Sequence, residues 1–166
     1  MRKTAILYGS STGNTESVAQ TIEEKLGNGV SKINVDGLSI TDLNDYENLI
    51  IGVSTWGIGD LQDDWEGFLP DFVKADLNNK TIAFFGLGDC ESYSDSFVDA
   101  MGIIYDKIKD SGCKVIGQID TEDYSYDASV SEIDGKLIGL AIDEDNESDK
   151  TEERIDRWLE QIMSQL

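Results

Sequence analysis

Four runs of this chain are almost continuously apolar: Lys3–Gly9 (KTAILYG), Asn48–Ser54 (NLIIGVS), Lys80–Leu87 (KTIAFFGL) and Leu137–Ile142 (LIGLAI). A strand with one wet face alternates apolar and polar residues, so unbroken runs of this kind belong to strands covered on both faces. Between them lie helical patterns. From about Asn14 to Leu26, residues Val18, Ala19, Ile22 and Leu26 share one face. A shorter helical segment around Asp63–Val73 carries the single proline, Pro70. Asp95–Ser111 places Phe97, Met101, Ile104 and Ile108 on the i, i+4, i+7, i+11 stripe. The last helix, about Asp149–Gln165, aligns Ile155, Trp158, Leu159 and Ile162, with Asp149 and Glu152 spaced as an N-cap and its reciprocal partner. Val30–Val35 adds a short second strand. Lys114–Ile119 begins a fifth, which Leu137–Ile142 resumes after a polar, acidic surface insertion, Asp120–Lys136. Alternating strands and helices imply right-handed crossovers and an α/β fold, a five-stranded parallel sheet with helices on both faces. Residues 1–166 are expected to form a single domain.

Charge narrows the partners. Asp and Glu number 34 against 13 Lys and Arg, for a formal net charge of −21 without any histidine. A surface this negative excludes nucleic acid and anionic membranes and favours partners with basic docking faces. The two cysteines, Cys90 and Cys113, flank the third helical pattern. A helix of about 16 residues spans about 24 Å, whereas a disulfide needs Cα atoms within about 7 Å. Met1-Arg2-Lys3 leads into a strand and not into a 7–15-residue apolar leader, and no apolar run reaches membrane-spanning length. A cytoplasmic protein is expected.

In a doubly wound sheet, ligands bind beyond the carboxyl ends of the strands. The first such turn, Gly9-Ser10-Ser11-Thr12-Gly13-Asn14-Thr15, has no cationic side chain. It offers backbone N–H groups, hydroxyls and a helix N-terminus, the parts that hold a phosphate. The next are Thr55-Trp56-Gly57-Ile58-Gly59-Asp60 and Gly86-Leu87-Gly88-Asp89-Cys90-Glu91-Ser92-Tyr93, each with an aromatic ring in glycine-rich backbone. One phosphate cradle and two aromatics on one edge point to a flat heteroaromatic mononucleotide. Other chemistries fail. Gly13 is followed by Asn14-Thr15 and not by the lysine of a Walker loop, and Gly57-Ile58-Gly59 reaches Gln62 where a dinucleotide fingerprint needs glycine. Ser54-Thr55 replaces the carboxylate of a phosphoacceptor site. No His/Cys cluster makes a zinc site. Asp143–Glu147 lacks the spacing of a calcium loop and reads as a solvated acidic lead into the last helix. Trp65 and Trp158 fall on helical faces and belong to the core, and Cys90 reads as a passive small residue.

Together, Ser10–Thr15, Thr55–Gly59 and Gly86–Asp89 with Tyr93 resemble the flavodoxins over essentially the whole chain. The insertion at Asp120–Lys136 and Leu140–Asn146 (LAIDEDN) resemble the long-chain branch of that family. The resemblance implies strand order 2-1-3-4-5 with the last strand split, and non-covalently bound FMN. It places the 5′-phosphate among Ser10, Ser11, Thr12, Gly13, Asn14 and Thr15. The isoalloxazine ring falls between Trp56 and Tyr93, its edge met by backbone at Thr55, Gly57, Ile58, Gly59, Leu87, Gly88 and Asp89. Asp145 is carried over to the ribityl chain. The implied activity is one-electron transfer between semiquinone and hydroquinone, the semiquinone stabilised in part when the Gly57–Ile58 peptide turns a carbonyl toward flavin N5–H. Asp60, Asp63, Asp64, Glu66, Asp89, Glu91 and Asp95, in or close to the two ring-contacting loops, are expected to oppose the fully reduced anion and lower the potential. The implied partners are flavin reductases and low-potential oxidoreductases, met by a monomer. No acid/base pair or nucleophile is evident, so no catalytic residues are assigned. The competing expectation is a small flavin-dependent quinone or NAD(P)H reductase of the same topology.

Overall fold

The computed structural model describes residues 2–166. In chain order, strand β1 (Thr4–Tyr8) leads into helix α1 (Asn14–Leu26) and strand β2 (Val30–Asn34). Strand β3 (Asn48–Trp56) turns back as the short β4 (Asp60–Leu61) before helix α2 (Asp63–Phe72). Strand β5 (Thr81–Leu87) is followed by helix α3 (Asp99–Ile108) and β6 (Lys114–Ile116). Then come β7 (Ile119–Asp120), β8 (Glu132–Ile133), β9 (Lys136–Leu137) and β10 (Leu140–Ile142), and the chain closes with α4 (Thr151–Ile162).

The main sheet runs β2-β1-β3-β5-β10, with β6 also on β5 and all of these pairings parallel. The expected order 2-1-3-4-5 is therefore observed, and the fifth position is shared by two short strands. β6 pairs with Thr81–Ala83 at one end of β5, and β10 pairs with Phe85–Leu87 at the other. The division falls at different residues than expected. Gly117, at φ +85°, turns the chain off the sheet directly after β6, so Ile119 already belongs to the inserted structure. Leu137 belongs there too, and the chain regains the sheet only at Leu140. Between them Gly139 passes against β5 so closely that a Cβ would lie 2.2 Å from the Phe84 carbonyl oxygen. The insertion is folded as a three-stranded antiparallel sheet, β7-β9-β8.

Period-two alternation sorts the buried strands onto two cores. On one face Ala5, Leu7, Leu49, Ile51, Val53, Ile82 and Phe84 pack with Trp65 and Phe72 of α2 and with Met101, Ile104 and Ile108 of α3. On the other, Ile6, Tyr8, Ile50, Ala83, Phe85 and Leu87 pack with Val18 and Ile22 of α1 and with Ile155, Trp158 and Ile162 of α4. Both tryptophans expected in the core are buried, and each satisfies its indole N–H. Trp65 Nε1 donates to the Gly52 carbonyl at 2.8 Å, and Trp158 Nε1 to that of Gly117 at 2.9 Å.

Two helix starts differ from the sequence reading. The expected helix from Asp95 begins as a 3₁₀ turn at Ser94–Ser96, and Val98 at φ +49° interrupts it before α3. The last helix begins at Thr151 without a side-chain cap, because Asp149 lies in a preceding 3₁₀ turn, Ser148–Lys150. No helix among the described residues is long and apolar enough to cross a membrane.

Candidate functional site

Parallel strands put their carboxyl ends on one edge, and there the loops after β1, β3, β5 and β10 converge on a cleft of about 360 Å³. That size lies in the range of small-ligand sites. Its walls include Thr12 and Asn14 of the first loop, Thr55, Trp56 and Gly57 of the second, Leu87, Gly88, Asp89 and Tyr93 of the third, and Asp145 of the fourth.

The remaining expected site residues lie beside the cleft. Ser10 accepts the Gly13 N–H on its hydroxyl at 3.0 Å, and Gly13 takes φ +93°, folding the Ser10–Thr15 turn over the start of α1. The first N–H groups of that 13-residue helix have no acceptor within it. Ser11 is exposed and Thr15 is buried. Ile58, 86% exposed, forms the tip of the β3–β4 hairpin, whose turn is made possible by Gly57 at φ +52° and Gly59 at φ +86°. Gly59 packs on α3, where a Cβ would come within 2.9 Å of the Asp99 carboxylate.

Trp56 and Tyr93 are 40% and 45% exposed, unlike the other tryptophans. Rings left half bare on opposite loops of one cleft form surfaces for a flat ligand. The Trp56 indole N–H is already used, donating to Ser54 Oγ at 2.9 Å, so that side chain is held in place. The donor set suits a mononucleotide. N–H and hydroxyl groups gather at the Ser10–Thr15 turn, with two aromatic faces beyond them and no lysine or arginine lining the cleft among the described residues.

The loop after β10 corrects one expectation. Asp143 is not solvated: it is 1% exposed and accepts N–H groups from Cys90 (2.9 Å), Asp145 (3.1 Å) and Asn146 (3.0 Å). Asn146 Nδ2 donates to both Asp143 and Asp89, lacing the third and fourth loops together. Burial opposes the Asp143 charge, yet the hydrogen bonds from Asn146 and Cys90 outweigh it and hold the carboxyl below its ordinary range. Asp89 is lowered likewise, by Ser92, Asn146 and Glu91 against burial. Asp145 goes the other way, raised by burial and by the charges of Asp89 and Asp143. Burial and the neighbouring Asp143 carboxylate push the Cys90 thiol up to about 12, which keeps it protonated and unreactive.

A depressed carboxylate stabilises the fold above its unfolded pKa and loses that contribution as pH falls through the folded value. Asp143→Asn is therefore expected to cost about 1–3 kcal/mol at neutral pH. The difference from wild type should shrink below pH 3.8. Urea midpoints measured from pH 6 down to about pH 2 check this, and a difference that does not change with pH would contradict it.

Three participants escaped the sequence reading: Gln62, Glu144 and Ser54, which lines the cleft and accepts the Trp56 indole N–H. Gln62, 1% exposed, caps α2 by accepting the Trp65 N–H on its side-chain oxygen, and its amide donates to Ser11 Oγ at 3.2 Å. It joins the first loop to the second. Its place immediately before Asp63-Asp64, at a helix start, was the available signal. Glu144 also lines the cleft, and nothing local in the sequence separates it from its exposed neighbours. Among the described residues no group of His, Cys, Asp or Glu is placed to hold a metal ion.

Comparison with known proteins accords with this geometry. A sequence profile described as flavodoxin matches residues 6–158. A flavodoxin of Nostoc sp. is 46% identical over 166 residues, covering 99% of this chain and 98% of that protein. One of Buchnera aphidicola is 43% identical over 165 residues, covering 98% of this chain and 96% of its own. The crystal structure of Fusobacterium nucleatum flavodoxin bound to flavin mononucleotide superposes with a TM-score of 0.95 at 29% identity, covering 100% of this chain and 99% of that one. With its strand order, its three strand-end loops and these relatives in agreement, the chain belongs to the flavodoxin family of electron-transfer proteins.

Proposed function

We propose that this chain binds FMN non-covalently and works as a low-potential one-electron carrier, cycling between the one- and two-electron-reduced states of the cofactor. The observation that carries the reading is a cleft with an aromatic ring on each of two loops, a cation-free phosphate turn and carboxylates along its wall. When bound, FMN supplies reversible one- and two-electron chemistry. The Ser10–Thr15 turn holds the phosphate through N–H dipoles and hydroxyls. Trp56 and Tyr93 flank the ring, backbone at Gly57–Gly59 and Leu87–Asp89 meets its edge, and Asp145 lies toward the ribityl chain.

Because dipoles neutralise the phosphate, no cation offsets the carboxylates around the ring. Asp145 already feels this field, since the Asp89 and Asp143 charges help raise its own carboxyl. At about 10 Å, one carboxylate opposes a new negative charge by about 0.4 kcal/mol in a water-like medium and about 1.7 kcal/mol at an effective dielectric near 20. With about 59 mV per 1.4 kcal/mol for one electron, several such groups lower the second reduction step by on the order of 100 mV. The acidic surface suits docking, as a cytoplasmic monomer, onto basic faces of flavin reductases and low-potential oxidoreductases. Such encounters weaken as salt screens the charges.

Mixing the FMN-loaded protein with NAD(P)H alone separates a carrier from a reductase. A carrier stays oxidised for minutes and is reduced promptly once a flavin reductase is added. Rapid bleaching by NAD(P)H alone would overturn the carrier reading.

A further inference from the structure

We propose that residues 127–131 of the insertion are a strap that sets the position of both ring-side loops, with Ser131 and Asp99 as its positioning residues. The proposal rests on the FMN reading above for its function, and on hydrogen bonds within the chain for its structure. The segment that follows Tyr93 is tied to the insertion at Ser94, Phe97, Val98 and Asp99, and again at Gly102. Asp127 and Ala128 donate their N–H groups to the Ser94 carbonyl at 2.9 and 3.0 Å, and Ser94 Oγ donates to Asp127 Oδ2 at 2.7 Å. Ser129 Oγ donates to the Phe97 carbonyl. Ser131, fully buried, donates its hydroxyl to the Val98 carbonyl at 2.6 Å and accepts the Gly102 N–H at 2.7 Å. Val130 donates its N–H to Asp99 Oδ1 at 2.8 Å.

What is strapped down touches the whole ring side of the cleft. Ser94 adjoins Tyr93 in the chain, and a Cβ on Gly88 would lie 3.0 Å from the Val98 nitrogen. Asp99 abuts Gly59, and the Ala100 N–H donates to Thr55 Oγ1 at 3.0 Å. Val98 itself is held at φ +49° and ψ 28°, a left-handed conformation that a β-branched residue keeps only when its surroundings over-determine it. Ser131 grips the carbonyl of that residue. Without the grip Val98 relaxes, and Tyr93, Gly59 and Thr55 lose their common support.

The test uses Ser131→Ala, Asp99→Ala and Asp99→Asn, with Lys136→Ala as a control elsewhere in the insertion, where Lys136 pairs only with the exposed Asp120. FMN affinity is read from flavin fluorescence, ring placement from the visible circular dichroism of the bound flavin, and loop support from amide hydrogen exchange of the apoprotein. Ser131→Ala and Asp99→Ala are expected to weaken FMN binding about tenfold and to alter the visible dichroism. They should also speed exchange at Gly57–Asp60 and Tyr93–Ala100. Asp99→Asn, whose amide oxygen still accepts the Val130 N–H, should recover most of the affinity and the dichroism. Lys136→Ala should match wild type. If Ser131→Ala does not fold, the Asp99 pair decides alone. Unchanged affinity and exchange in Ser131→Ala and Asp99→Ala, or equal losses in Asp99→Ala and Asp99→Asn, overturn the strap. A wild-type protein that binds no FMN overturns the functional reading instead, and the exchange data still decide the strap.

Discussion

Thr12→Glu is expected to weaken FMN binding by at least about a hundredfold while leaving the affinity for riboflavin almost unchanged. Thr12 is exposed on the first strand-end loop and lines the cleft, so the substitution removes nothing from either core. Its effect is electrostatic. Two unit charges about 4 Å apart interact by about 1 kcal/mol in water and about 4 kcal/mol at a surface-like dielectric, and a phosphate near neutral pH carries up to two. A repulsion of about 3 kcal/mol already exceeds a hundredfold in affinity. The present loop has no cation to absorb an added carboxylate. Titration of the apoprotein with FMN and with riboflavin, followed by fluorescence, makes the measurement. Equal loss for both ligands would mean that the loop does not carry the phosphate.

Gly57→Val should bring the two one-electron potentials closer together by several tens of millivolts. Gly57 sits at φ +52°, where a β-branched side chain is strained and where a Cβ would stand 3.2 Å from the Asp60 carboxylate. Glycine would let the Gly57–Ile58 peptide take more than one orientation, including one whose carbonyl would accept a hydrogen bond from a bound flavin. Valine pins that peptide. Loss of a single hydrogen bond of about 1 kcal/mol corresponds to about 40 mV for one electron. Potentials that do not move in Gly57→Val would remove the peptide from the account.

Much of this architecture was legible because it rests on local pattern. The first three unbroken apolar runs are main-sheet strands, and the stripe Phe97, Met101, Ile104 and Ile108 is buried as its spacing predicts. The split fifth strand was legible as two apolar pieces around a polar stretch. Its limits were not, because they are set by Gly117 leaving the sheet and by Gly139 passing under the Phe84 carbonyl, both tertiary events. Val98 shows the same limit. Nothing in a helical stripe announces a left-handed residue, and the groups that hold it lie some thirty residues away in the insertion. Asp143 was read as solvated because an acidic run looks alike whether or not a buried backbone N–H waits for one of its carboxylates. At the site, glycine-flanked aromatics separated Trp56 and Tyr93 from Trp65 and Trp158, a distinction their exposures bear out. Gln62 offered only its place at a helix start and Glu144 no signal, since their roles arise from where other loops fall.

The central claim is that a cation-free, carboxylate-lined cleft disfavours full reduction of its cofactor and so makes this chain a low-potential one-electron carrier. A potentiometric titration of the FMN-loaded protein, followed by visible absorbance at moderate ionic strength, tests it most directly. Two resolved one-electron waves are expected, the second displaced on the order of 100 mV or more below that of free FMN. A single two-electron wave near the potential of free FMN would contradict it.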